Sequence, residues 1–115
     1  MLLSICIPSY NRPESILQLL QSIDADHDMI EIVIAEDAAP LRDMVRSKVE
    51  QFKDRNNYVI HYHENEKNLG YDANLRNLIV LAKGEFVLFM GDDDLFKPGG
   101  LQKYLSFLVS HKHYN

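Results

Sequence analysis

Asp92, Asp93 and Asp94 follow the apolar run Phe86-Val87-Leu88-Phe89-Met90 and precede Leu95-Phe96-Lys97-Pro98. Three adjacent carboxylates at the end of a buried strand repel one another unless a cation neutralises them. A hard divalent ion with oxygen ligands, Mg²⁺ or Mn²⁺, suits such a cluster, and clusters of this kind serve phosphate-bearing substrates. Taken alone, an acidic triplet is more readily a solvated turn. Other polar clusters recur after other apolar runs. Ser9-Tyr10-Asn11-Arg12 offers an aromatic ring for stacking on a nucleobase and a guanidinium for a diphosphate, or forms an ordinary strand-to-helix turn. Glu36-Asp37 offers an acceptor-only carboxylate. Asp37 would pair with the N3–H of uracil or thymine or the N1–H of guanine and repel cytosine N3. Equally, it would cap the helix that begins near Pro40. In Asn68-Leu69-Gly70-Tyr71-Asp72-Ala73-Asn74-Leu75-Arg76, Gly70 permits a close backbone approach, and Asn68, Asn74 and Arg76 lie near a helix start, where anions bind. The alternative there is a capped helix with a solvated face.

The elements that must carry these residues follow from periodicity. Apolar runs at Leu2–Pro8, Ile30–Ala35, Tyr58–Tyr62 and Phe86–Met90 read as strands. Between and after them, helical spacing marks Ile16/Leu19/Leu20/Ile23, Leu41/Met44/Val45/Val49/Phe52, Leu75/Leu78/Ile79/Ala82 and Leu101/Tyr104/Leu105/Leu108. Pro13 suits a first helical turn with Asn11 as its cap, and Gly84 suits a helix stop. Strict βα alternation predicts an α/β fold, a parallel sheet of about four strands with helices on both faces. Right-handed crossovers then put every strand's carboxyl end on one edge, where open α/β sheets bind ligands. All the polar clusters fall on that edge.

Bulk composition agrees. The 115 residues suffice for one domain with a core, and the 46% apolar, 25% charged balance is that of a globular protein. A net charge of −5 argues against nucleic acid and against an anionic membrane surface as the main partner. It does not exclude a nucleotide, because a metal inverts the local sign. The single cysteine, Cys6, allows no disulfide within the chain. With no signal peptide or span-length apolar stretch, this predicts a cytoplasmic protein, peripheral at most at the inner face of the membrane. His61 and His63 alternate on one strand, and the terminal pair His111 and His113 reads as solvated; none is assigned a role.

Ser4-Ile5-Cys6-Ile7-Pro8-Ser9-Tyr10-Asn11-Arg12 resembles the opening of the family 2 glycosyltransferases. Glu31-Ile32-Val33-Ile34-Ala35-Glu36-Asp37, Asn68-Leu69-Gly70, Ala82-Lys83-Gly84-Glu85-Phe86-Val87, the aspartate triplet and Pro98 resemble that family's later blocks, in order. The resemblance implies the Rossmann-like, nucleotide-sugar-binding N-terminal half of a GT-A fold across residues 1–115. It implies a nucleotide-diphosphate sugar as donor and a glycan or lipid-linked acceptor, as in enzymes that build bacterial surface polysaccharides. By position, Pro8, Ser9 and Tyr10 would border the base and Asp37 would bond it. Arg12, Asn68, Gly70, Asn74 and Arg76 would belong to the nucleotide site. Asp92 would lie by the ribose, Asp93 would hold the metal on the diphosphate with Asp92 beside it, and Asp94 would support the sugar or the loop as a further acidic ligand. Gly91 stands where the family has the first acid of Asp-any-Asp, Ala38-Ala39 replaces Gly-Ser, and Asn74-Leu75-Arg76 replaces Ala-Arg-Asn.

Family members are generally more than twice this length. The expectation is a truncated donor-binding half whose general base lies beyond Asn115, with an uncovered edge prone to self-association. The alternative function is a non-catalytic nucleotide-binding or assembly module of the same fold. A receiver domain would need an acidic pair where Pro8-Ser9-Tyr10 stands. A nucleotidyltransferase would need a Gly-rich basic first loop.

Overall fold

A computed structural model describes residues 1–111; His113 lies outside them. Four strands alternate with four helices: β1 Leu3–Ser9, α1 Pro13–Gln21, β2 Ile30–Glu36, α2 Arg42–Asp54, β3 Val59–Glu64, α3 Tyr71–Leu81, β4 Phe86–Phe89 and α4 Gly100–His111. All strand pairs are parallel, in the order β3-β2-β1-β4.

The two inner strands, β1 and β2, are buried at every position, so both their faces are apolar and the sequence reads as unbroken runs. The edge strands β3 and β4 alternate in exposure. The chain moves outward from β1 to β2 to β3 and then returns past β1 to β4. Right-handed crossovers in opposite directions place their helices on opposite faces. Accordingly α1 and α2, joined by α4, pack on one face through Ile16, Leu19, Leu20, Val45, Val49, Phe52, Leu101 and Leu105. Helix α3 covers the other face, where Leu78 packs with Cys6, Val33 and Ala35. Burial, reinforced by the Glu31 charge, pushes the Cys6 thiol up to about 12, so it packs as a neutral side chain.

Several local expectations are corrected. Asn11 does not cap α1: Arg12 occupies the N-cap position, with no side-chain cap, ahead of Pro13. Asn11 instead adopts a left-handed φ of 62° and accepts the Leu41 N–H on Oδ1 at 2.9 Å, tying the first loop to the start of α2. Asp37 caps no helix, since α2 starts from Leu41 without a side-chain cap. Helix α3 ends at Leu81 with Ala82 as its C-cap, so Gly84 is not its stop. A Cβ at Gly84 would lie 2.7 Å from both the Ser4 nitrogen and Oγ; glycine there permits close contact with β1. Leu41, Met44 and Ile79 share the helical rhythm yet are exposed.

Beneath α3, the buried Glu31 carboxylate is held by the Ser4 hydroxyl at 2.5 Å and the Lys83 N–H at 2.6 Å, with His61 Nε2 at 3.4 Å. Burial opposes its charge, but these donors outweigh it and hold Glu31 below the usual carboxylate range. Among the described residues, no helix is long and apolar enough to cross a membrane.

Candidate functional site

The strand order reverses direction between β1 and β4, and a crevice opens at such a switch point, beyond the strands' carboxyl ends. A cleft of about 690 Å³ lies there. The first loop contributes Pro8, Ser9, Tyr10 and Arg12, and β2 contributes Asp37. Asn68, Gly70 and Asn74 come from the start of α3, and Asp92, Asp93 and Asp94 from the loop after β4. These are all the site residues expected from sequence except Arg76. Arg76 lines a separate, more open cleft with His63, Lys67 and Val80. Positions two apart on a helix do not share a face, and Asn74 has taken the inward one. Tyr71, Phe89 and Gly91 also line the main cleft and were not singled out from sequence. Tyr71 sits in the loop motif itself, and Phe89 alternates with half-buried neighbours along β4.

The cleft walls are latched together. The Tyr10 N–H donates to Asp92 Oδ2 at 2.9 Å, and Tyr10 remains 48% exposed. The Asp37 N–H donates to the Ser9 carbonyl at 3.0 Å. The Asp37 side chain, only 5% exposed, accepts the Leu69 N–H on Oδ1 at 2.7 Å and the Gly70 N–H on Oδ2 at 3.0 Å. Asn68 Nδ2 reaches the Asp37 carbonyl at 3.1 Å. Gly70 carries φ 88°, ψ 161°, a combination open essentially to glycine alone.

The three aspartates diverge in role. Asp92 is buried; desolvation raises its pKa, against the pull of the Tyr10 N–H and the Arg12 charge. Asp93 Oδ2 accepts Arg12 Nη1 at 2.8 Å, and Arg12 Nε stands 3.8 Å from Asp92 Oδ1. Asp94 closes its own turn: Oδ2 accepts the Gly91 N–H at 3.0 Å, and the Asp94 N–H donates to the Gly91 carbonyl at 3.0 Å. The missing side chain at Gly91 matters here, because a Cβ would come within 3.1 Å of Asp94 Oδ2 and 3.2 Å of Asp93 Oδ1.

A divalent cation fits part of this set. One guanidinium already addresses Asp92 and Asp93 together, so both carboxylates can serve one cation, whereas Asp94 is committed to its turn. Two carboxylates plus diphosphate oxygens are a common magnesium arrangement. The described His/Cys/Asp/Glu trio whose ligand atoms do converge, Asp26, His27 and Asp28, is exposed and lies between α1 and β2, at the opposite end of the strands.

The model of Glycosyl transferase family 2 matches residues 4–114. The chain belongs to that family. It is 34% identical over 113 residues to abequosyltransferase RfbV of Salmonella typhimurium, covering 96% of this chain and 33% of that protein. It is 29% identical over 114 residues to the putative colanic acid biosynthesis glycosyl transferase WcaA of Escherichia coli, covering 96% of this chain and 40% of that one. The solved structure of TarS residues 1–349 from S. aureus, in complex with UDP-GlcNAc, superposes with a TM-score of 0.84 at 28% identity. That match covers 97% of this chain and 32% of the TarS chain. The family 2 chain described here thus spans about a third of the length of the relatives it matches, and its sheet and helices are those of a GT-A-like fold.

Proposed function

We propose that this chain is the donor-binding portion of a metal-dependent glycosyltransferase that moves a sugar from a nucleotide-diphosphate sugar to a glycan or lipid-linked acceptor. The observation that carries this is the switch-point cleft, which gathers the exposed Tyr10 ring, the buried Asp37 carboxylate and the Asp92 and Asp93 carboxylates from three separate loops. The UDP-GlcNAc held by the similar TarS structure supports the donor class.

Tyr10 stacks on the base. The remaining acceptor capacity of Asp37 Oδ2 takes the ring N–H of uracil or guanine. Asp92 lies where the ribose meets the diphosphate. Asp93, with Asp92 beside it, holds Mg²⁺ or Mn²⁺, and such an ion offsets the charge that builds on a departing nucleoside diphosphate. Arg12, whose guanidinium reaches Asp93 at the cleft, would address the diphosphate. Gly91 and Asp94 shape the turn that aims Asp93.

Titration calorimetry of this chain with UDP, GDP and CDP, each with Mn²⁺ and with a chelator, tests the reading. Metal-dependent binding of UDP or GDP is expected. Failure of every nucleoside diphosphate to bind in a metal-dependent way would refute it.

A further inference from the structure

Asn65 follows β3 directly, in the polar segment His63-Glu64-Asn65 that βα alternation puts on the ligand edge of the sheet without assigning it a role. It is 7% exposed, and every polar group of its side chain is used. Its Nδ2 donates to Asp37 Oδ1 at 2.9 Å and to Asn74 Oδ1 at 2.8 Å, and its Oδ1 accepts Asn77 Nδ2 at 3.3 Å. Its own N–H is fixed to the Glu36 carbonyl at 2.9 Å. The direction of this relay is not arbitrary. Asn74 Nδ2 donates to the Ala35 carbonyl at 2.9 Å, and a carbonyl can only accept. Asn74 must therefore present its oxygen to Asn65, and Asn65 must present its amide hydrogens to both Asn74 and Asp37.

This relay has a consequence for Asp37. Oδ1 receives two donors, Asn65 and the Leu69 N–H, and is filled; Oδ2 receives one, the Gly70 N–H. A carboxylate oxygen accepts about two hydrogen bonds, so one acceptor position is left, on Oδ2.

We propose that Asn65 is a positioning residue for base specificity: it fixes the rotation of Asp37, and with it the open acceptor position on Oδ2, and thereby the discrimination between bases that offer a ring N–H and cytosine, which offers a lone pair. This rests on the reading of Asp37 as the base acceptor. Asn65 itself meets no ligand.

The test is calorimetry with UDP, GDP and CDP in Mn²⁺ for the parent chain, Asn65→Ala, Asn65→Asp and Asp37→Ala, each checked for a cooperative thermal melt. Asn65→Asp is nearly isosteric and keeps the fold testable if the alanine variant does not fold. It replaces the donor on Asp37 Oδ1 with a second carboxylate, so the contact that fixes the rotation of Asp37 is lost. Both Asn65 variants are expected to lower the preference for the better of UDP and GDP over CDP by roughly tenfold, the effect of one hydrogen bond to a charged group. A purely structural role would weaken all three nucleotides alike and leave the ratio unchanged, and that result in either folded variant overturns the proposal. The control separates the two levels. If Asp37→Ala abolishes the preference while the Asn65 variants keep it, this inference alone fails. If Asp37→Ala also keeps it, the reading of Asp37 as the base acceptor fails.

Discussion

The Tyr10 N–H and the Asp92 carboxylate, 82 residues apart, are joined at 2.9 Å. That bond closes the crevice between β1 and β4 at its base. It directs the Tyr10 backbone inward while the ring stays exposed, and it supplies a donor that offsets only part of the burial that raises the Asp92 pKa. The stacking surface and the acidic loop are therefore one unit, held by parallel pairing of β1 with β4 directly behind it.

Asp93 is the carboxylate most accessible to a cation, since Asp92 is buried and Asp94 is tied to Gly91. Asp93→Asn is expected to remove most of the Mn²⁺-dependent part of nucleoside diphosphate binding while the thermal midpoint stays near the parent value. Calorimetry with and without chelator reads the difference. Equal metal dependence in parent and variant would move the cation away from Asp93.

Asp37→Ala should act twice. Removing the carboxylate erases the preference for ring N–H bases, a difference on the order of 1–3 kcal/mol. It also strands the N–H groups of Leu69 and Gly70 and one Asn65 hydrogen, so the melt should fall by several degrees. A variant with lowered stability but unchanged nucleotide preference would confine Asp37 to bracing the loop.

The general plan of this site was legible in the sequence, because βα alternation determines which edge collects the loops and because the apolar run of β1 can only be an inner strand. The finer assignments failed where they depended on rotation or on distant backbone. Arg76 followed Asn74 in the motif but points into another cleft, since two positions on a helix turn about 200°. Asp37 looked like a helix cap because its true partners, two N–H groups more than 30 residues away, carry no side-chain signature. The relay through Asn65 was invisible for the same reason: asparagine reads as loop until its four hydrogen-bonding positions are counted in place.

Gly84 makes a prediction about stability alone. With its Cβ position 2.7 Å from Ser4 nitrogen, Gly84→Ala must push the α3–β4 turn off β1 and disturb the Ser4–Glu31 pair beneath α3. A loss of about 1–3 kcal/mol is expected from overpacking against backbone. Chemical denaturation measures it, and a neutral outcome would mean that the turn shifts freely.

Glu36 supplies a pH-dependent test. Its register partner in β1 is Ser9; the Ser9 hydroxyl and Glu36 Oε1 are both buried without a hydrogen-bond partner among the described residues. Burial raises the Glu36 pKa, against the N–H groups of Ala39, Ala38 and Asn11. A carboxyl with a raised folded pKa contributes stability that is fully present below its unfolded value, ~4.3, and is lost as pH rises through the folded value. Glu36→Gln stays neutral throughout. The variant should therefore gain in thermal midpoint over the parent as pH rises from mildly acidic to neutral, measured by melts across that range. A difference that does not change with pH would show that Glu36 is as readily ionised in the fold as in the open chain.

The last prediction concerns the face of the sheet that α3 leaves bare. Val87 and Phe89 are paired with Ser4 and Cys6 and lie on the α3 side of β4, yet they are 37% and 40% exposed. On the flank of α3 away from β3, Ile79 turns outward at 53% exposure. An apolar edge strand next to an apolar helix face is a surface that associates, because its burial is favourable and its backbone groups can extend the sheet. This chain alone is therefore expected to self-associate as its concentration rises, in sedimentation or light scattering. An Ile79→Lys, Val87→Lys double variant places charge on that surface without touching Asp37, Asp92 or Asp93. It should shift the distribution to monomer and leave nucleotide binding intact. Association that persists unchanged in the double variant would locate the contact elsewhere, and a parent chain that stays monomeric would show that this face is satisfied by water.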